Sequence, residues 1–138
     1  MMEKKDIALN QLRAAAKLYK SKDYISSITL SGAAEEILGR IAKKRINSNQ
    51  LERDIEYLKS IYNYFSGQKP SNKTLKENIN KVKNELKHND SGKNEWVQAD
   101  FENEAAMLFV KGVKNYYDSY EEFPKDRTIR SLFEHLTL

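Results

Sequence analysis

Cysteine is absent from this chain and histidine occurs only as His88 and His135. No disulfide, thiolate metal site or cysteine nucleophile can therefore be built, and two distant histidines disfavour a zinc or iron centre. The sequence predicts no metal and no cofactor. No apolar run approaches the roughly 18 residues that span a bilayer, and the Met1-Met2-Glu3-Lys4-Lys5-Asp6 start leads into an amphipathic segment rather than a signal-peptide core. The expectation is a cytoplasmic protein with no membrane association. Charge of one sign is also lacking: 24 Lys and Arg stand against 20 Asp and Glu, for a net +4. This permits a polyanionic partner without requiring one. With 39% hydrophobic and 32% charged residues over 138 positions, the composition suits one soluble helical domain, 1–138.

No strand pattern, repeat or low-complexity segment is evident, and the apolar residues recur at helical spacing. Ile7, Leu9, Leu12, Ala16 and Tyr19 mark a first helix over 6–20. Ile25, Ile28, Leu30, Ala33, Ala34, Ile37, Leu38 and Ile41 give a second, over 24–44, a broad apolar face that suits a central position. Gly32 and Gly39 cost helix propensity there, which the close approach of a neighbouring helix can offset. Leu51 to Phe65 forms a third helix, ended by Ser66-Gly67-Gln68-Lys69-Pro70. Thr74-Leu75-Lys76-Glu77 reads as a capping box opening a fourth helix that runs to the polar turn at Asn89. Asp100, Glu102 and Glu104 suit the N-terminus of a fifth, carrying Ala105, Leu108, Phe109, Val113, Tyr116 and Tyr120, and broken by Pro124. Residues 124–138 form a short terminal helix or tail. The predicted fold is all-α: an antiparallel helical bundle of four long helices plus one or two short ones, with its core in 6–120.

The chemistry concentrates in Lys83-Asn84-Glu85-Leu86-Lys87-His88. Asn84 and His88, four apart, share one helix face, while Val82 and Leu86 point inward with Leu75 and Ile79. A cation, an amide and an imidazole are thereby offered on a solvated face. An imidazole in such company exchanges protons near neutral pH. The simpler alternative is that His88 interacts with the helix macrodipole and that Lys83 and Asn84 are ordinary surface residues.

Together, Lys22-Asp23-Tyr24, the helix with Leu30-Ser31-Gly32-Ala33-Ala34-Glu35-Glu36-Ile37-Leu38-Gly39, Asn84-Glu85-Leu86-Lys87-His88, and Glu104 to Tyr117 resemble the HEPN superfamily of small prokaryotic helical proteins of toxin, defence and RNA-processing systems. The resemblance covers most of 6–120. It implies metal-independent RNA cleavage by an arginine, a polar residue and a histidine, whose places here fall to Lys83, Asn84 and His88. It also implies a homodimer in which two such motifs share a cleft. Lysine lacks the two-pronged planar geometry of arginine, so Lys83→Arg is expected on this reading to raise cleavage. The reading is an RNA-acting protein, either a ribonuclease or a weakened descendant that keeps RNA or nucleotide binding. The alternative is a noncatalytic interaction module pairing with a nucleotidyltransferase-like or antitoxin partner.

Supporting candidates are Glu35, Glu36 and Lys87. Glu36 can pair with Arg40 on the surface, the simpler reading for both glutamates, whereas Glu35 reaching the fourth helix would orient Lys83 or His88. Lys43, Lys44 and Arg45 suit a helix C-terminus as well as a phosphate. Tyr116, Tyr117 and Tyr120 have core spacing, Trp96 suits a surface contact, and His135 has no chemical partner in sequence.

Overall fold

A computed structural model describes residues 1–87 and 95–138. Every regular element among them is helical: α1 (Lys4–Lys20), α2 (Tyr24–Ile46), α3 (Gln50–Ser66), α4 (Asn72–Ile79), α5 (Lys81–Lys87), α6 (Phe101–Tyr120) and α7 (Arg127–Thr137). The four long helices are α1, α2, α3 and α6. The starts of α2, α3, α6 and α7 follow local chemistry: Asp23, Asn49, Asp100 and Asp126 each accept a backbone N–H of the first turn, at 2.9–3.1 Å. Side-chain caps of this kind satisfy donors that the helix itself leaves orphaned.

The helix predicted from Thr74 onward differs in two ways. Its cap is Ser71, whose hydroxyl accepts from the Thr74 N–H at 3.1 Å, so Thr74 lies inside the first turn and the expected Thr74–Glu77 capping box is not used. The helix also breaks at Asn80, where φ −93° and ψ 4° leave the helical well, dividing α4 from α5. Asn78, Asn80 and Asn84 fall within one short stretch, and asparagine is a poor helix former because its amide competes with the backbone.

Helix α2 is central, as its broad face predicts, packed against α1 on one flank and α6 on another. The main core joins Leu12, Ala15 and Ala16 of α1, Ala34 and Leu38 of α2, Phe109, Val113 and Tyr116 of α6, and Ile129 and Leu132 of α7. The terminal segment is therefore a docked helix, further tied by the Arg13–Asp126 ion pair at 2.6 Å. A second cluster, Ile28, Ala105 and Leu108, receives Val82 and Leu86 of α5. That seat fixes the rotation of the short helix that carries Lys83, Asn84 and Lys87. Among the described residues no helix is long and apolar enough to cross a membrane.

Candidate functional site

Because Val82 and Leu86 bind the apolar cluster, Lys83 turns toward α2 instead of solvent. Its side chain is only 3% exposed. The stem crosses Gly32 so closely that a β-carbon built there would lie 2.5 Å from Lys83 Cδ and 2.8 Å from Cγ. The absent side chain at Gly32 is thus the slot for Lys83, which accounts for a glycine in the middle of the central helix. Beyond the slot, Lys83 Nζ donates to Glu36 Oε1 at 2.7 Å and stands 3.6 Å from Glu35 Oε2. This corrects the expectation of a solvated Lys83. A buried ammonium is tolerated only where carboxylates compensate its lost hydration, and α2 supplies two.

Both supporting glutamates consequently differ from the surface-pair reading. Glu35 is 4% exposed and faces Lys83. Glu36 pairs with Lys83 and stands 3.8 Å from Lys87 Nζ, while Arg40 acts on it only at longer range. The two carboxyls are driven in opposite directions. Burial pushes the Glu35 pKa above its ordinary value and outweighs the pull of Lys83 and Lys111. Burial also raises Glu36, but the hydrogen bond and charge of Lys83, with Lys87 and Arg40, carry it below the ordinary value.

An acid whose folded pKa is raised binds its proton more tightly when folded. Its stabilising contribution is present below its unfolded pKa and lost as pH rises through the folded one. Glu35 therefore weakens the fold above its ordinary value of 4.5, whereas Glu36 has the reverse sign and loses its contribution as pH falls below 4.5. Glu35→Gln is accordingly expected to gain stability relative to wild type as pH rises from about 4.5 to about 7.5, the range above the usual carboxylate pKa. Urea midpoints of both proteins at the two pH values test this. Parallel midpoints would show that Glu35 is not the titrating group.

Asn84 and Lys87 remain exposed on α5. His88, the expected acid or base, lies outside the described residues. Beside the ion cluster a cleft of about 160 Å³ is bounded by Glu35, Glu36, Arg40, Lys76, Asn80 and Lys83.

Other candidates resolve into structure. Lys43 pairs with Glu52 at 2.8 Å, and the Arg45 guanidinium lies 4.4 Å above the Tyr120 ring. Tyr116 is buried against Tyr120, and Tyr117 stacks on Phe123 with ring centres 4.6 Å apart. Trp96 and His135 lie at the surface. Asn115 went unremarked in the sequence, yet it is fully buried and links three helices. Its Oδ1 accepts from the Gln50 N–H at 2.9 Å and its Nδ2 donates to the Glu35 carbonyl at 3.5 Å. A polar residue between Gly112 and Ser119 on the buried stripe of α6 was the available signal.

Comparison of the chain with protein-family models, with curated proteins and with solved structures finds no match.

Proposed function

We propose that the chain is a HEPN-like protein acting on RNA as a homodimer, with His88 as the proton-transfer group and no metal in the reaction. The observation that carries this reading is the lock of α5 onto α2 through Lys83, Glu35 and Glu36, which leaves Asn84 and Lys87 facing solvent immediately before His88. A motif helix fixed by a buried ion cluster presents its exposed groups with little reorganisation, as positioned acid–base chemistry requires. Lys83 is here a positioning residue. Charge for an RNA phosphate comes instead from Lys87, and Asn84 supplies an amide donor. Two copies supply two imidazoles, one to take the 2′-hydroxyl proton and one to protonate the 5′-oxygen leaving group.

The interaction-module reading has its own support. With Lys83 committed to carboxylates, the family's arginine place offers no cation to a phosphate, and Tyr57, Tyr64 and Phe65 of α3 are 69–84% exposed.

RNA binding by the wild-type chain in chelator, measured from low to physiological salt, separates the two. Lys87→Ala is expected to weaken binding for all sequences alike and to lower the slope of log affinity against log salt by about one phosphate contact. Absence of RNA binding at any salt, with a protein partner copurifying, would favour the interaction module.

A further inference from the structure

The cleft beside α5 has a composition that the ion cluster does not account for. Asn80 stands at the α4–α5 break, 7% exposed, and its carboxamide makes no hydrogen bond among the described residues. Among the described residues the buried unpaired polar atoms are Gln11 Oε1 and Ser31 Oγ, so the Asn80 amide opens onto the cleft, where a ligand can pair it. Glu36 lines the same cleft. Its Oε1 is taken by Lys83 at 2.7 Å, but Oε2 meets Lys87 only at 3.8 Å, beyond hydrogen-bond length. A carboxylate has about four acceptor sites, so Oε2 keeps capacity for a donor. Leu51 adds an apolar wall, and Arg40 and Lys76, both exposed, add positive charge at the rim.

We propose that this cleft holds one unpaired cytosine base of a nucleotide or single-stranded RNA, an inference that rests on the RNA reading above. The cytosine amine donates to Glu36, and its ring nitrogen and carbonyl accept from the Asn80 carboxamide. Leu51 covers the ring face, and the sugar-phosphate leaves past Arg40 and Lys76. One ring suits the size: the cleft measures about 160 Å³, close to the roughly 150 Å³ of an engineered cavity that accommodates benzene. Adenine carries the same amine on a larger double ring. Uracil presents a carbonyl where cytosine has its amine, and that oxygen would oppose the Glu36 carboxylate. A bare phosphate uses only the rim and meets Glu36 as a like charge.

The full chain is titrated with cytidine, uridine and adenosine monophosphates and with inorganic phosphate, followed by calorimetry or amide shifts. Cytidine monophosphate is expected to bind roughly tenfold more tightly than uridine monophosphate, the discrimination of a good base contact, and more tightly still than phosphate. Asn80→Asp keeps the side-chain shape but removes the amide donors, and is expected to abolish the preference. Arg40→Ala, on the exposed rim, is expected to weaken both nucleotides alike. Equal affinity for the two pyrimidine nucleotides, phosphate competing as well as either, or an unchanged preference in Asn80→Asp overturns the assignment. RNA binding that still depends on Lys87 but ignores base identity removes the base pocket and leaves the RNA reading. Selective binding of cytidine monophosphate by a chain that binds no RNA retains the pocket and removes the RNA reading.

Discussion

Lys83→Ala is expected to lower the unfolding free energy by about 3–5 kcal/mol, the range for breaking a buried ion pair by deleting one partner. The loss arises because Glu35, 4% exposed, is left without its nearest cation, with Lys111 acting only at longer range. Packing of the stem over Gly32 disappears at the same time. The cost should shrink in acid, since burial already favours the protonated form of Glu35. Gly32→Ala probes the same slot from the other side. The new methyl gains about 1 kcal/mol of helix propensity but displaces the Lys83 stem, and overpacking of this kind costs about 1–3 kcal/mol. In Gly32→Ala/Lys83→Ala the methyl occupies space that the lysine has left, so the double variant should be more stable than the sum of the singles by about 0.5–3 kcal/mol, the usual range for residues in contact. Urea denaturation of the four proteins measures this coupling. Additivity would remove the slot and, with it, the assignment of Lys83 as the residue that positions α5.

Most helices were legible because their apolar residues recur with helical period and their ends carry recognisable chemistry, as Asp100 and Gly67 show. The burial of Glu35 was written in the same period. Ile28, Ser31, Glu35, Leu38 and Ala42 follow alternating steps of three and four along α2, and all five are buried. A carboxylate on such a stripe requires a cation from another element, and Lys83 is that cation. What single-helix periodicity could not reveal is the rotation of α5. That depends on Val82 and Leu86 finding the Ile28, Ala105 and Leu108 cluster, a tertiary contact. The cost of Gly32 was visible in the sequence, but the identity of the side chain filling its place was not. The α4–α5 break was missed because asparagines weaken a helix without the unambiguous signal of proline or glycine.

His88→Ala is expected to reduce RNA cleavage by about 10²–10⁴-fold, the usual contribution of a positioned acid or base. The proposed reaction requires a proton to leave the 2′-hydroxyl and another to reach the 5′-oxygen, and the proposed homodimer, with one motif per chain, would lose both carriers in this single substitution. Cleavage by wild type should persist in chelator and leave a cyclic phosphate or its hydrolysis product. Matched thermal midpoints for the two proteins exclude unfolding as the cause. The burial of Lys83 reverses the expectation for Lys83→Arg. A guanidinium forced through the Gly32 slot is bulkier than the ammonium and remains committed to Glu35 and Glu36, so it supplies no new phosphate contact. Cleavage by Lys83→Arg should therefore equal or fall below wild type, with stability lowered by overpacking. A gain in cleavage would show that residue 83 touches substrate, whereas equal cleavage by wild type and His88→Ala would exclude the imidazole from the chemistry. If wild type exceeds the His88→Ala blank on neither structured nor single-stranded RNA, and a partner protein copurifies, the interaction module replaces the nuclease.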